Sequence, residues 1–460
     1  MTDSAAAHTD VLARLRDALG ERVDTSAAAL AAARADKSGH AAAGTPIAVV
    51  HAASVADVQA TLRIANETRT PVVPRGAATG LAGGANTGTG EIALSVRAMD
   101  RIVEVRADDL LAVVEPGIIN ADLNTRLAPH GVWWAPDPAS REISTVGGNI
   151  ATGAGGLLCA KYGVVRDAVL GLDVVLADGR LLHLGHRSVK GVTGLDLTSL
   201  FIGSEGVLGV IVGATLKLRR LVPGAVHTLA ATFPDVRTAA AASAAVTAAG
   251  LQPSVMELMD ATSLAAAHRL LRLTAPEPGA AHLTVQTDGP AAADEAAAIA
   301  RVLRASGGEV AIAADAEEGE RLLAVRRAMH PAMETLGTTL IEDVSVPRSR
   351  LAEMFDEVAR VEREHGVTIP VVAHAGDGNL HPNFIFEGPD VPAHIWDAAD
   401  DLFRSALRLG GTLTGEHGIG VLKSRWLADE LGDDQWRLQR DIKAVFDPLG
   451  ILNPGKVFAV

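Results

Sequence analysis

Apolar and polar positions follow two different patterns along the chain, with a change near residue 222. Before that point, short apolar runs of strand length are bounded by turn residues, and residues 54–68 repeat with helical spacing. The predicted strands are Ile47–Val50, Pro71–Pro74, 92–96, 101–105, 111–114, Val169–Ala177 and Val207–Leu218. Residues 8–45, which precede these strands, are rich in Ala and are predicted to be helical.

After residue 222, strand-like segments alternate with long Ala-rich helices. Strands are predicted at 228–233, 282–287 and 308–313, and helices at 235–249, 291–306 and 316–335. This alternation is typical of an α+β domain with an antiparallel sheet, such as a substrate or cap domain. The turn residues of Leu221–Gly224 separate the two patterns and indicate a domain boundary.

Composition narrows the class of protein. A chain of 460 residues is too long for one ordinary core, and its net charge of −14 argues against a nucleic-acid partner. The single cysteine, Cys159, excludes a disulfide within the chain and an iron–sulfur cluster held by cysteines alone. Residues 1–10 show no signal-peptide pattern and no apolar run is long enough to span a membrane, so the cytoplasm is the expected location.

Two glycine-rich segments, Pro74–Gly84 and Ser144–Gly156, point to a cofactor. Closely spaced glycines let backbone N–H groups approach an anion, although the first segment alone could equally be a flexible surface loop. The second segment carries no charge, which favours packing against a ligand over exposure as a linker. There is no G-x-G-x-x-G motif, and Gly450–Val457 lacks the Ser/Thr of a P-loop. The two segments are therefore expected to bind an extended phosphate-containing cofactor in a fold that is neither of the Rossmann nor of the P-loop type.

Several motifs make the sequence recognisable when they are taken together. They are Pro74–Gly84, Pro136–Ser140, Ser144–Thr152, Lys161–Gly163, Leu170–Gly179, Phe201–Gly209 and Phe446–Lys456. In combination they resemble the vanillyl-alcohol oxidase/p-cresol methylhydroxylase superfamily, from about residue 45 to the C-terminus. Within it the chain resembles the D-2-hydroxy-acid branch, which contains D-lactate dehydrogenases, flavin subunits of glycolate oxidase and D-2-hydroxyglutarate dehydrogenases.

The resemblance implies an α+β protein with a two-part FAD-binding domain and an α+β substrate (cap) domain that contains an antiparallel sheet. The expected divisions are a helical segment 1–45, the FAD domain 46–222, the cap domain with a metal site 223–425, and a segment 426–460 that returns to the FAD domain. The residues implied to bind FAD are Arg75, Gly76, Ala77, Thr79, Gly80, Pro138, Ser144, Thr145, Gly148, Asn149, Thr152, Gly155, Glu205, Gly206, Ile211 and Asn453. Residues 76–80 contain no His, so noncovalent FAD is expected.

The segment His374–Asn383 is a candidate metal site. Gly376 and Gly378 argue against a helix, and Asp377-Gly378 predicts a two-residue hairpin turn. That turn pairs residue 374 with 381 and places the two histidines opposite each other, with Cβ atoms about 4.5–5.5 Å apart. Asn383 then points to the same face. A surface hairpin with incidental histidines is the alternative.

The segment Thr414–Gly420 adds Glu416 and His417, and two histidines with one carboxylate are a common set for a divalent metal. The resemblance implies that His374, His381 and Glu416 bind the metal, expected to be zinc or manganese, and that His417 is the catalytic base. It also implies that Arg326 binds the substrate carboxylate, while its neighbour Arg327 is solvated. Asn383 is grouped with His417 and Arg326 as catalytic.

The implied activity is FAD-dependent oxidation of a D-2-hydroxy acid, similar to D-lactate or glycolate, by hydride transfer to flavin N5 with a metal that orients the substrate. Three alternatives remain: a metal-free FAD oxidase of a sugar or aromatic alcohol, a D-2-hydroxyglutarate-type dehydrogenase, and a non-catalytic flavoprotein. Ile341–Asp343 offers no Lys for a second carboxylate, which weakens the dicarboxylate alternative. The electron acceptor is expected to be external (a quinone, carrier protein or cytochrome). The oligomeric state stays open, with a homodimer among the alternatives.

Overall fold

The computed structural model describes residues 2–458. Its helices are α1 (Thr2–Leu19), α2 (Ala27–Ala33), α3 (Val55–Thr68), α4 (Asn120–Leu127), α5 (Val146–Thr152), α6 (Cys159–Tyr162), α7 (Leu197–Phe201), α8 (Val236–Ala248), α9 (Ala261–Leu271), α10 (Ala292–Ala305), α11 (Ala316–Arg327), α12 (Met329–Glu334), α13 (Leu351–His365), α14 (Ala393–Arg408) and α15 (Leu427–Phe446). Short 3₁₀ helices lie at Gly20–Arg22, Ala128–His130, Val165–Ala168, Arg348–Arg350 and Ser424–Trp426.

The strands are β1 (Val23–Asp24), β2 (Ala48–His51), β3 (Val72–Arg75), β4 (Ile92–Ser95), β5 (Ile102–Arg106), β6 (Leu111–Val114), β7 (Val132–Trp133), β8 (Val169–Val175), β9 (Leu181–Gly185), β10 (Val210–Lys217), β11 (Arg219–Arg220), β12 (His227–Phe233), β13 (Val255–Met259), β14 (Ala281–Thr287), β15 (Glu309–Ile312), β16 (Thr338–Ile341), β17 (Val344–Ser345), β18 (Val371–His374) and β19 (Asn379–Phe386). No helix among the described residues is both long enough and apolar enough to cross a membrane.

The chain divides into two compact units. Unit 1 runs to Gly155, takes in Gly163–Leu221 and resumes at Glu416, while unit 2 consists of Gly156–Tyr162 and Val222–Gly415. The sequence analysis had given 416–425 to the cap domain and 156–162 to the FAD domain. Segment 416–425 lies in unit 1 because its backbone bonds to other parts of that unit, for example through Val421 N–H and the Ala82 carbonyl.

Unit 1 contains two larger sheets, and β7 and β11 pair as a separate two-stranded sheet. One has the order β1-β2-β4-β3, in which β4 runs parallel to both β2 and β3. The other has the order β5-β6-β10-β8-β9 and is antiparallel throughout. Apolar residues of the strands and of α1 and α3 form the core around the first sheet, and a second core that includes Trp134 and Phe201 lies at the other. This is the two-part arrangement that the motifs predicted.

Unit 2 is built on one antiparallel sheet with the order β15-β12-β14-β13-β18-β19-β16, and β17 also pairs with β19. The Ala-rich helices α8 and α10 contact its strands. Small side chains such as Ala239, Ala240 and Ala300 are fully buried there. The prediction of an α+β unit on an antiparallel sheet is therefore confirmed.

The structure differs from the predicted elements at several points, three of which concern the N-terminal segment, the helix at 316–335 and strand β13. The N-terminal Ala-rich segment is not one helical region, because Val23 and Asp24 form β1 by pairing with Val50 and Val49. The helix predicted at 316–335 is two helices, α11 and α12, with Ala328 between them. Strand β13 was not predicted, and it proves to be central to the site described below.

Candidate active site

The two predicted metal-binding histidines lie on adjacent strands of unit 2, but in a different register from the one expected. His374 pairs with Asn379 and His381 pairs with Val372, so the histidines are diagonal neighbours and not directly opposite. The connection is a four-residue loop, in which the N–H groups of Asp377 and Gly378 donate to the His374 carbonyl at 3.1 and 2.9 Å. The prediction of a two-residue Asp-Gly turn is wrong.

The longer loop accommodates a close approach between the backbones of Gly378 and Val346. Gly378 has a φ of 95°, and a Cβ at this position would collide with the Val346 carbonyl oxygen. The N–H of Val346 in turn donates to the Gly378 carbonyl at 3.0 Å. Gly378 therefore serves the contact with residue 346 rather than a tight two-residue turn.

The two imidazoles still meet face to edge. Their Nε2 atoms are 3.2 Å apart, and the ring centroids are separated by 5.0 Å at an interplanar angle of 86°. Both residues are buried, at 6% and 8% exposure for His374 and His381. Two ligand nitrogens at about 2.0–2.1 Å from a tetrahedral zinc would be about 3.3 Å apart, so this separation fits two imidazoles on one metal ion.

A third strand brings a carboxylate to His374. Glu257 of β13 lies opposite His374 in the sheet, and its Oε1 accepts a hydrogen bond from His374 Nδ1 at 2.6 Å. Its Oε2 accepts from Nε of Arg326 at 2.7 Å, and Nη2 of the same guanidinium is also 2.7 Å away. One buried carboxylate therefore contacts both a candidate metal ligand and the arginine predicted to bind the substrate.

The ionised form of the Glu257 carboxylate is stabilised by its two neighbours. Burial alone would raise the pKa of Glu257, but the neighbouring His374 and Arg326 more than offset that effect and hold the pKa below its usual range. The Arg326 side chain is 15% exposed and that of Arg327 is 60% exposed, with Arg327 paired to Glu320 at the surface. Arg326 is therefore largely buried against Glu257, whereas Arg327 lies at the surface.

Asn383, the remaining predicted catalytic residue of unit 2, is completely buried in β19. Its Nδ2 donates to the carbonyl oxygens of His381, at 2.8 Å, and Pro370, at 3.2 Å. Within the described part of the chain its Oδ1 has no hydrogen-bond partner. The amide thus fixes the backbone of a candidate metal ligand and leaves one acceptor atom unused.

The last residues of unit 2 are anchored directly before Glu416. Asp343 is fully buried, and its carboxylate accepts from Thr414 Oγ1 at 2.9 Å and from the Gly415 N–H at 2.7 Å. Gly415 has no room for a side chain, because a Cβ there would collide with the amide of Asn379. Glu416 follows by one peptide bond, and each of His374, His381 and Glu416 offers a ligand atom within 4.8 Å of the others.

In unit 1 the segment that follows His417 is held by Glu205. The two carboxylate oxygens of Glu205 accept the N–H groups of Ile419 and Gly420 at 2.7 and 2.8 Å. Burial raises the pKa of Glu205 to about 7, and the hydrogen bonds offset only part of that effect. The loop that carries His417 is therefore fixed at its second half by a residue predicted to line the FAD site.

The glycine-rich segments predicted to bind FAD are brought together in unit 1. Gly76 packs so closely on Thr145, the N-cap of α5, that a Cβ at residue 76 would collide with the Thr145 hydroxyl. Asn453 Nδ2 donates to the carbonyl oxygens of Gly84 and Glu205 at 3.0 and 2.7 Å. Four segments that are distant in sequence, those of Gly84, Thr145, Glu205 and Asn453, therefore form one cradle of backbone groups.

Other predicted FAD-binding side chains have protein partners. The Arg75 guanidinium donates to the carbonyl oxygens of Ala32, Ala33, Ala35 and Ala85, so it holds the loop after α2. Asn149 bonds to Ser144 and Asn120, and Thr152 donates to the Gly148 carbonyl. The remaining members of the set lie in or beside the same loops and strands: Ala77, Thr79, Gly80, Pro138, Gly155, Gly206 and Ile211.

Two residues of the site, Glu257 and Asp343, were missed or left without a role by the sequence analysis. Glu257 is the one acid in the strand-like run Val-Met-Glu-Leu-Met, and Asp343 stands next to Glu342 between apolar residues in Leu-Ile-Glu-Asp-Val. A charge in such a run is rarely buried unless it is paired, so this pattern was the available signal.

Comparison with protein families identifies two domains. The family described as "FAD binding domain" matches residues 46–185, and the family described as "FAD linked oxidases, C-terminal domain" matches residues 222–457. Together they account for most of both units.

Curated relatives are similar over nearly the whole chain. Glycolate oxidase subunit GlcD of Bacillus subtilis is 36% identical over 420 residues, which cover 90% of this chain and 89% of the relative. D-lactate dehydrogenase of Archaeoglobus fulgidus is 37% identical over 414 residues, which cover 89% of this chain and 90% of the relative. The glycolate oxidase subunit GlcD of Escherichia coli K12 is 34% identical, with 89% of this chain and 83% of the relative covered.

Solved structures share the fold at low sequence identity. A substrate-bound p-cresol methylhydroxylase matches with a TM-score of 0.80 and 17% identity, over 99% of this chain and 97% of that chain. An isoeugenol complex of 4-ethylphenol oxidase from Gulosibacter chungangensis matches with a TM-score of 0.77 and 19% identity, over 98% and 97%. These likenesses establish the fold.

Proposed function

The chain belongs to the FAD-linked oxidase family, and we propose that within it the protein oxidises a small D-2-hydroxy acid, of the D-lactate or glycolate kind, to the 2-keto acid. One observation carries this proposal: a candidate metal ligand, His374, and a partly buried arginine, Arg326, share the carboxylate of Glu257. A 2-hydroxy acid has a hydroxyl and a carboxylate on neighbouring carbons. It therefore needs a cationic site for each group, close together.

The metal is proposed to be divalent, zinc or manganese, and to be held by His374, His381 and Glu416. Two neutral imidazoles and one carboxylate suit such an ion and leave coordination positions open for a substrate. The 3.2 Å between the Nε2 atoms of the histidines supports the fit, because a shared cation separates two lone pairs that otherwise face each other. The bond from His374 Nδ1 to Glu257 is the partner that metal-binding histidines usually have.

FAD is proposed to lie against the backbone cradle of unit 1 and to be bound noncovalently. The contacts are assigned to Gly76, Ala77, Thr79 and Gly80 in the first glycine-rich segment and to Thr145 and Gly148 at the start of α5. The other members of the predicted set are proposed to line the rest of the site: Pro138, Ser144, Asn149, Thr152, Gly155, Glu205, Gly206, Ile211 and Asn453. Arg75 contributes through its backbone, since its guanidinium is already bonded to carbonyl oxygens.

In the proposed mechanism, Arg326 binds the substrate carboxylate through the guanidinium donors that Glu257 does not use. His417 accepts the proton of the 2-hydroxyl, a task for which a neutral imidazole near pH 7 is well matched. When bound, FAD supplies the acceptor for the hydride from Cα, and the metal supplies Lewis acidity that lowers the pKa of the hydroxyl. Asn383 is proposed to contribute through Oδ1, which has no hydrogen-bond partner in the described part of the chain.

The electrons are proposed to pass to an external quinone, carrier protein or cytochrome, because the sequence has one cysteine and therefore no cysteine-ligated iron–sulfur cluster of its own. The cytoplasmic location stays a prediction, and the oligomeric state stays open with a homodimer among the alternatives.

The test is anaerobic bleaching of the flavin absorbance by a panel of compounds. D-lactate or glycolate should reduce the flavin, and L-lactate should reduce it far more slowly. D-2-hydroxyglutarate separates a monocarboxylate enzyme from a dicarboxylate one. Reduction by vanillyl alcohol or a sugar, with none by any 2-hydroxy acid, would overturn the proposal in favour of a metal-free oxidase.

A further inference from the structure

Glu257 is the only charged residue of strand β13, and its side chain is 1% exposed. Its neighbours in the strand, Met256 and Leu258, are buried and apolar. An ionised carboxylate in this position is tolerated only where cationic groups and hydrogen-bond donors compensate for its lost hydration. Here the compensation comes from His374 and Arg326.

The contact with His374 determines which nitrogen of that ring carries the proton. An ionised carboxylate can only accept, so His374 must carry its proton on Nδ1, where it donates to Oε1 of Glu257 at 2.6 Å. Nε2 then carries no proton of its own and can serve as the ligand atom, and it is the atom that lies 3.2 Å from Nε2 of His381. Glu257 thus selects the tautomer in which His374 can act as a ligand.

The contact to Arg326 fixes the direction of the guanidinium. Nε and Nη2 both lie 2.7 Å from Oε2 of Glu257, so one edge of the planar group is held by the carboxylate. The donors that remain, on Nη1 and the outer side of Nη2, are therefore held in one plane. A guanidinium without this contact could rotate about its flexible stem.

We propose that Glu257 is a positioning residue that joins the metal ligand and the substrate-binding arginine into one unit. It holds His374 in its metal-binding tautomer and Arg326 in its carboxylate-binding direction through the two oxygens of one side chain. This role rests on the proposed function. It predicts that a change at residue 257 weakens both metal binding and substrate binding, whereas a residue that only stabilises the fold would change neither.

The test is Glu257→Gln in the full chain, loaded with FAD. A glutamine has the same shape but only one accepting oxygen, so it cannot accept from both His374 and Arg326. The affinity for Zn²⁺, measured by competition with a chelator and without substrate, should fall roughly 10–100-fold, as for other partners of metal-binding histidines. The KM for the 2-hydroxy acid should rise as well, and added Zn²⁺ should restore metal occupancy without restoring the wild-type KM.

Asp260→Asn is the matched control. Asp260 directly follows β13, is half-buried, and accepts from the N–H groups of Ser263 and Val371 at 2.8 and 2.7 Å. Asparagine can still cap α9 but has one accepting oxygen, so it cannot accept from both N–H groups. The melting temperature should therefore fall, while Zn²⁺ affinity and KM should remain within about twofold of wild type. If Glu257→Gln does not fold, Glu257→Asp takes its place, because it keeps the charge but is too short to reach both partners.

The outcomes separate this inference from the proposed function. Zn²⁺ affinity equal to wild type in the folded Glu257 variant would overturn the positioning role, even if the enzyme oxidises 2-hydroxy acids. Weaker Zn²⁺ binding in a protein whose wild type oxidises no 2-hydroxy acid would support the role at His374 and overturn the proposed function. Equal loss of Zn²⁺ affinity in Asp260→Asn would show a structural effect only and would also overturn the inference.

Discussion

The Nε2 atoms of His374 and His381 lie 3.2 Å apart in the interior of unit 2, on strands that pair out of the expected register. Neutral imidazoles held this way present either one shared proton or two facing lone pairs. A divalent cation satisfies both nitrogens at once, and Glu416 is close enough to complete the set. The arrangement therefore suits the proposed metal ion, with Glu257 bonded to His374 and Asp343 bonded to the two residues before Glu416.

Purified protein is expected to release all of its FAD on acid precipitation. Residues Gly76–Gly80 contain no His to form a covalent flavin bond, and Gly76 packs directly on Thr145. The supernatant should carry the yellow colour, measured as flavin absorbance, and the pellet should carry none. Flavin that stays with the pellet would show a covalent attachment elsewhere in the chain.

Arg326→Lys should raise the KM for a 2-hydroxy acid by roughly 10–100-fold, because an ammonium group cannot reproduce parallel hydrogen bonds to a carboxylate. Arg327→Lys is the matched control. Arg327 is exposed and paired with Glu320 on the surface, so this change should leave the KM near wild type. Steady-state kinetics measure both. Equal effects at the two positions would mean that residue 326 does not bind the substrate.

His417→Ala should slow flavin reduction by roughly 10²–10⁴-fold, the usual cost of removing a general base. FAD content and metal content, measured on the same preparation, should stay unchanged. Near-normal reduction in the metal-replete variant would show that His417 is not the base and that the hydroxyl is ionised without it.

Much of this site could be predicted from the sequence. The parts that could not be predicted depend on contacts that no short motif reveals. The histidines, Glu416 and the glycine-rich segments stand out because they are reactive or flexible residues in short motifs. The register of the hairpin was wrong because Asp-Gly suits a two-residue turn, while Gly378 is needed for the approach of the Val346 carbonyl. Nothing near Glu257 in sequence reveals that its partner is His374, because 117 residues separate them.

The stability of the protein should depend on pH through His282 of β14. Burial lowers the pKa of His282 to about 4, with a smaller contribution from His268. Its Nε2 has no hydrogen-bond partner among the described residues. Below pH 6.5 the unfolded chain therefore binds a proton that the folded chain does not, so stability is lost as pH falls from 6.5 towards 4.

The free energy of unfolding can be measured with denaturant at pH 7 and at pH 4.5. Between these two pH values it should fall by about 2–3 kcal/mol less in His282→Gln than in wild type. The same substitution at exposed His394 is the control and should leave the loss as in wild type. An unchanged loss in His282→Gln would assign the acid sensitivity to other groups.

The most direct test of the whole account is the rate of anaerobic flavin reduction by D-lactate or glycolate, with and without bound metal. Stopped-flow absorbance should show that chelator-treated protein, still loaded with FAD, reacts more than about 100-fold more slowly, because Lewis acidity supplies several kcal/mol. Added Zn²⁺ or Mn²⁺ should restore the rate in wild type. Metal-free protein that is reduced as fast as the metal-loaded form would contradict a metal-assisted oxidation of 2-hydroxy acids at His374 and His381.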